Sequence, residues 1–376
     1  MKAKKVLFFG KLPPPYVGEN VISKSILSLL ENSFDVTIIN SSGVIEKKES
    51  VFRKIIYFSN QAFHLLKCFI QLRRKLKKEK FQFVYFSGSS SVFGSLSDSL
   101  LLLISRKYVD SIICHLHRSN YKNNFTERRL YSAGKFLVNN IDKFVFSSKN
   151  LSEDLKNYIP ECKREYLFNP IDESVLLSDE EFEKKHQLIK FKQKYIVTYL
   201  SNFILTKGYM DLVEAIKLLP EKVKKEIIVR FIGEWIDSDN KKNNFFTEIN
   251  SKELAPVIEY IGPIRDRVRI KELLIQSDIF CLPSYYPVEA QPVSIIEAMN
   301  AGNAIISTFH ASIPEYVDDQ KLGILVEKRN TKELANAIQH LCNSEILCAF
   351  SINARKKFLD NFSNAVIAKK LTYIFS

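Results

Sequence analysis

No stretch of this 376-residue chain stays apolar for the roughly 18 residues that a membrane-spanning helix needs. The densest run, Leu100-Leu101-Leu102-Leu103-Ile104, is approached through serine and aspartate. The basic start, Met1-Lys2-Ala3-Lys4-Lys5, leads into only Val6-Leu7-Phe8-Phe9, which reads as a first strand rather than a secretion signal. Cysteine is scarce. Cys68, Cys114, Cys162, Cys281, Cys342 and Cys348 form no Cys-x-x-Cys pair and sit mostly in apolar runs, so small core thiols in a reducing cytoplasm are expected and a structural zinc site is not. Also missing are the Gly-Lys-Ser/Thr ending of a Walker loop and the close glycine spacing of a dinucleotide fingerprint. These gaps leave a cytoplasmic globular protein without a resident zinc or a familiar phosphate loop.

What is present is length, alternation and uneven charge. A chain this long exceeds one ordinary core, so two domains are expected. Residues 1–150 carry 25 Lys and Arg against 10 Asp and Glu, whereas residues 151–376 carry 30 against 32. The whole net charge of +13 therefore belongs to the first half. Such asymmetry points to an acidic partner there: an anionic membrane surface, a phosphate-bearing acceptor or nucleic acid. Its densest cluster, from Arg73 to Lys80, ends a helical apolar pattern through Phe63, Leu66, Phe69, Ile70 and Leu72.

The chemistry concentrates between Pro283 and Gly302, PSYYPVEAQPVSIIEAMNAG. Ile279 to Leu282 reads as a buried strand closed by proline, Pro292 as a first helical position, Ser294–Met299 as a helix, and Gly302 as its left-handed cap. Ala304-Ile305-Ile306 starts the next strand. Ligands collect beyond the carboxyl ends of strands in such units. Glu289 lies in the loop, and Glu297, about a turn and a half into the helix, tilts back toward it because helical side chains lean toward the N-terminus. The amides of Val293 and Ser294 would attract phosphate, while the two carboxylates could accept hydrogen bonds from sugar hydroxyls.

Elsewhere the chain alternates strand and helix twice over. In the first half, the loop Gly10–Asn20 brings Gly18 to a helix start by a stiff proline arm, and a later strand ends in His115-Leu116-His117. Two histidines on one side of a strand could share a metal, but no carboxylate or third histidine completes a set. The acid-rich and then lysine-rich segment 173–194 is the expected linker. In the second half, the strand Ile196–Leu200 runs into a loop from Ser201 to Gly208, where Lys207 could neutralise a departing diphosphate without a metal. Asp237-Ser238-Asp239 has the spacing of a metal-nucleotide motif but reads as an exposed loop. A single final helical stretch is expected from Ser351 to Phe375.

The run from Pro283 to Gly302 resembles the signature of family 4 retaining glycosyltransferases: Pro-Ser, a Glu, seven residues, a second Glu, then Ala-Met-x-Ala-Gly. The resemblance is dense from about Ile196 to Val326 and thin before that. It implies an α/β GT-B fold, two facing Rossmann-like domains with a cleft between them, here 1–172 and 195–356, with a terminal helix 357–376 packing back on the first. Arg355, Lys356, Lys357, Lys369 and Lys370 would then extend the basic face. By resemblance Glu289 and His117 lie at the donor sugar, Glu297 holds the ribose diol, Gly18 and Lys207 attend the diphosphate, and the backbone near Ile264 faces the base. The sequence departs from the pattern in two places. Ala290-Gln291-Pro292 replaces the commoner Gly-Phe-Gly, and Asn202 stands where an arginine usually partners the lysine, leaving Arg265 as a candidate substitute.

The function implied is a retaining, metal-independent transfer from a nucleotide-sugar to a saccharide or polyprenyl-linked saccharide in bacterial surface-polysaccharide synthesis, on the inner face of the membrane. No cofactor is expected beyond the substrate itself. A GT-B epimerase or phosphorylase would share the fold without an acceptor. A nucleic-acid-binding protein would explain the charge, but the chain shows no reader module or stacking platform.

Overall fold

The computed structural model describes residues 4–15, 18–43 and 51–376, and for residues 51–58 the backbone only. The chain forms two compact units, one of residues 1–170 with 364–376, the other of residues 171–363. Each is an α/β unit built on a six-stranded parallel sheet.

In the first unit the strands are β1 (Lys5–Gly10), β2 (Asp35–Asn40), β3 (Phe81–Ser87), β4 (Val109–Leu116), β5 (Lys143–Phe146) and β6 (Arg164–Tyr166), in the order β2-β1-β3-β4-β5-β6. The central strands are apolar almost throughout because helices cover both faces: Val6, Leu7, Phe8, Val84, Ile112 and Ile113 have no exposed surface. Helix α1 (Gly18–Glu31) carries the chain outward from β1 to β2, while α2 (Val51–Lys78) and α3 (Val92–Ser105) carry it back to β3 and on to β4. Right-handed crossovers put α1 on one face of the sheet and α2 and α3 side by side on the other. The helix Asn364–Ile374 packs beside α1, and Phe375 places its ring against Phe34, Phe83 and Tyr85. Lys143 secures that end by donating to the Ile374 carbonyl at 2.6 Å.

The second unit contains β7 (Tyr195–Leu200), β8 (Ile227–Ile232), β9 (Ile258–Gly262), β10 (Ile279–Cys281), β11 (Ala304–Thr308) and β12 (Gly323–Val326), ordered β12-β11-β10-β7-β8-β9. From β7 the chain builds outward to β9, then returns to the other side of β7 to build β10, β11 and β12. Its order reverses between β7 and β10. In parallel sheets that reversal opens a crevice at the strands' carboxyl ends, because the loops leaving the two strands diverge to opposite faces.

Two expectations need correction. Residues 173–194 are not a linker: they contain the helix Asp179–Ile189, opened by a reciprocal capping box between Ser178 and Glu181. Phe182, Lys185 and Ile189 share one buried face, and the Lys185 ammonium donates to the Ala301 carbonyl at 2.6 Å and to the Leu274 carbonyl at 3.2 Å. The charges that hid this helix occupy its wet side. The final helical stretch is likewise two helices, Ser344–Asn361 in the second unit and Asn364–Ile374 in the first, parted where the ring of Phe362 buries fully against Tyr316. Arg355 and Lys357 consequently pair with Asp179 and Asp318 inside the second unit instead of extending the first unit's basic face.

Candidate functional site

Lys207 ends a single 3-10 turn, Leu205–Lys207, in the loop that leaves β7. Asp237 holds this turn: one of its oxygens accepts from the Leu205 amide at 2.7 Å and from the Tyr209 hydroxyl at 3.0 Å. Gly208 follows with φ of +80°, and a Cβ there would lie 2.3 Å from the Pro283 carbonyl oxygen. Only glycine lets the β7 loop approach the β10 loop so closely. The contact continues as the Tyr285 amide donates to the Thr206 carbonyl at 2.8 Å.

The β10 loop, from Pro283 to Pro292, is tied down from the β11 side. Ser307 donates to the Leu282 carbonyl at 2.7 Å, Thr308 to that of Ser284 and Ser312 to that of Ala290, and His310 meets the Tyr286 carbonyl at 2.8 Å. Four side chains from one segment thus fix four carbonyls of the other, which leaves the loop little freedom to wander. Glu289 is carried in this clamped frame and is 6% exposed.

The two loops bring Lys207 and Glu289, 82 residues apart in sequence, into an ion pair of 2.5 Å. The Ser284 hydroxyl donates to the same Glu289 oxygen at 2.7 Å, and the Tyr286 ring lies 4.8 Å from the lysine nitrogen. Both charges are largely withdrawn from water, so each depends on the other: removing one partner of a buried pair costs about 3–5 kcal/mol.

Beyond Pro292 runs the helix Val293–Asn300, with no side-chain cap at its N-terminus and with Gly302 at φ of +65° after its end. Its leading amides are of the kind left open to an anion. Glu297, 3% exposed, pairs with Arg267 at the start of the helix Arg267–Gln276. Burial pushes its carboxyl above the ordinary range, and the arginine pulls it partly back. Gln291 and Pro292 are buried behind this frame, Val293, Ser294 and Ile264 are half-buried, and Asn202 is exposed. Arg265 is exposed too. The cation that turns inward here is Arg267.

In the first unit Gly18 opens α1, and among the described residues nothing lies within 4 Å of where a Cβ would stand. Glu19 beside it pairs with Arg118 at 3.3 Å, next to His117. Both ring nitrogens of His117 are shielded and, among the described residues, lack a hydrogen-bond partner, a state usually relieved by a ligand or water. Burial lowers its pKa to about 4, Glu19 opposing and Arg118 assisting. His115 is wholly buried, its Nδ1 2.6 Å from the Tyr85 hydroxyl. Although the two histidine rings are 4.1 Å apart, among the described residues no group of three or more His, Cys, Asp or Glu could hold a metal ion.

The structure therefore joins Lys207, Glu289, Val293, Ser294 and Glu297 on adjoining loops and one helix. Sequence reasoning missed Ser284, Arg267 and the use of Asp237. Its Asp-x-Asp spacing drew attention to the last, whose carboxylate serves the Lys207 turn.

The loops leaving the adjacent parallel strands β7 and β10, a clamped lysine–glutamate pair and an open helix terminus thus come together in one α/β unit. Residues 180–358, within the second unit, match the family model of glycosyl transferases group 1, and the chain has the GT-B fold. The chain is 30% identical over 172 residues to a protein of Escherichia coli named as a colanic acid biosynthesis glycosyltransferase, WcaL, a match covering 44% of this chain and 41% of the relative. Over 76% of the chain it is 23% identical to 74% of the N,N'-diacetylbacillosaminyl-diphospho-undecaprenol alpha-1,3-N-acetylgalactosaminyltransferase of Campylobacter jejuni. The crystal structure of Anabaena HepE in complex with UDP and glucose superposes with a TM-score of 0.70 at 15% identity, covering 98% of each chain.

Proposed function

We propose that the protein is a retaining glycosyltransferase that moves a sugar from a nucleotide-sugar donor to a saccharide or lipid-linked saccharide in bacterial surface-polysaccharide synthesis. The observation that carries this reading is the Lys207–Glu289 pair beside the open end of the helix Val293–Asn300. A donor diphosphate entering there takes the lysine from Glu289 and meets the first helix amides, and the released carboxylate accepts from sugar hydroxyls. Relatives named for colanic acid and for a diphospho-undecaprenol-linked acceptor support the substrate class.

In the proposed reaction the acceptor hydroxyl attacks the anomeric carbon on the face from which the diphosphate leaves. The bond from that carbon to the phosphate oxygen breaks, and a phosphate oxygen takes the acceptor proton. Lys207 and the amides of Val293 and Ser294 stabilise the departing charge without a metal. The backbone near Ile264 faces the base, Asn202 and Gln291 border the donor, Glu297 receives the ribose diol, and Gly18 of the first unit is by resemblance a position whose bare backbone suits a diphosphate. His117, neutral at physiological pH, offers a ring nitrogen to the sugar. The basic first unit faces an anionic membrane surface on the cytoplasmic side.

A thermal-stability screen of nucleotide-sugars selects the donor, since a ligand that binds only the folded state raises the melting point. Release of nucleoside diphosphate is then followed with and without acceptor. Acceptor-dependent release that survives chelator, with the product anomer matching the donor, is expected. Equal release without acceptor overturns the transferase reading in favour of an epimerase or phosphorylase.

A further inference from the structure

Among the described residues, the first unit leaves an apolar face exposed on the side of its sheet formed by α2 and α3. On α3, Val92, Phe93, Leu96, Leu100 and Leu103 are all exposed, Phe93 by 87% and Leu103 by 64%. At about 100° per residue these five positions fall within roughly 100° of arc, one continuous stripe. Its neighbour α2 exposes Phe63, Leu66 and Ile70 and then, on the same arc, Arg73, Arg74 and Lys77. Packing explains neither stripe, because each helix already buries its opposite face, through Phe69, Leu72 and Leu76 on α2 and Leu101 and Leu102 on α3. Cations rim the patch: Lys67 sits 4.4 Å from the Phe63 ring, and Arg106 and Lys107 follow α3.

We propose that the α2–α3 face is a membrane-docking surface, its apolar stripes entering the headgroup boundary of an anionic bilayer while Arg73, Arg74, Lys77 and the flanking lysines engage lipid phosphates. Charge selects this occupant. A second copy would bring the same cations against one another, whereas an anionic surface neutralises them, and apolar side chains with a basic polar rim are the arrangement that lies in an interface. No helix among the described residues is long and apolar enough to cross, so the contact is interfacial. The proposal rests on the membrane reading above for its occupant, and adds that insertion, not charge alone, holds the protein there.

The test is sedimentation of the full chain with phosphatidylcholine vesicles and with vesicles containing 30 mol% phosphatidylglycerol. Wild type is expected to bind the anionic vesicles and to resist release by salt in part. A triple variant, Phe93→Ser, Leu96→Ser and Leu103→Ser, should bind about tenfold more weakly, and Arg73→Gln with Arg74→Gln should lower the binding to anionic vesicles by about tenfold or more while leaving that to neutral vesicles unchanged. All should keep the wild-type melting point, since the side chains are exposed, and the wild-type release of nucleoside diphosphate with a soluble acceptor. Undiminished vesicle binding by the triple variant overturns the proposal. So does wild-type protein that ignores anionic vesicles, or that forms a dimer abolished by the triple variant. In each of these cases transfer to a soluble acceptor would still uphold the proposed function.

Discussion

Substituting Lys207 by Met and Glu289 by Gln, singly and together, probes the centre of the site. With Lys207→Met, the Glu289 carboxylate stays buried, held by the Ser284 hydroxyl at 2.7 Å, having lost the cation at 2.5 Å. The lysine and glutamate side chains are only 13% and 7% exposed, so solvent screens little of that loss. A cost of about 3 kcal/mol is expected for this variant, at the lower end for a broken buried pair. Glu289→Gln keeps an acceptor for Ser284 but strands the ammonium, whereas the double variant removes both charges, so its cost should fall about 2 kcal/mol short of the sum. The only tryptophan, Trp235, stacks on Phe203 within the second unit, and its fluorescence during urea unfolding reports that unit alone. Calorimetry with nucleoside diphosphate supplies the functional half. Because the ligand must take Lys207 from Glu289, Glu289→Gln should bind it a few-fold more tightly, Lys207→Met at least about tenfold more weakly, a loss of about 1.4 kcal/mol, and the double variant like Lys207→Met. Additive stabilities within about 0.5 kcal/mol, or weaker binding by Glu289→Gln, would refute the competition between carboxylate and diphosphate.

Glu289→Ala should lower turnover by about a hundredfold or more while nucleoside diphosphate still binds, as steady-state kinetics beside calorimetry would show; normal turnover removes its proposed role. Gly208→Ala forces a left-handed backbone on alanine and drives a Cβ into the Pro283 carbonyl, so the Trp235 transition should shift by about 2–3 kcal/mol. An unshifted transition would mean that the two loops are free to part. His117 carries a pH signature. Its pKa is about 4 when folded against about 6.5 unfolded, so between these values the unfolded chain binds the extra proton and stability is lost as pH falls. Replacing it with Gln should remove on the order of 3 kcal/mol of that dependence, and an unchanged slope from pH 6.5 to 4 would contradict its burial.

Much of the fold could be read from the chain because parallel strands covered on both faces are nearly continuous apolar runs. Val6–Phe9, Ile227–Ile232 and Gly323–Val326 all stand out for that reason. The helix Asp179–Ile189 is hard to read from the chain because its buried face includes a lysine, Lys185, whose ammonium finds carbonyl partners only after folding. Its capping signal, Ser178-x-x-Glu181, was nonetheless present. The break at Phe362 was hidden for a related reason. No proline or glycine marks it, and the local sequence remains compatible with helix up to the point where a buried aromatic ring turns the chain.

By itself the sequence determined the strand and helix alternation, the placing of Glu289 and Glu297 around one helix start and the basic excess of the first half, because each depends on spacing or composition along a short stretch. Only the tertiary structure decided that Lys207 meets Glu289, that Asp237 and Gly208 shape the turn making this possible, and that Arg267 rather than Arg265 turns inward. Those outcomes depend on the return of the chain from β9 to the far side of β7, which sets two distant loops side by side. No local pattern encodes which strands become neighbours, since that choice is settled by the packing of the whole sheet.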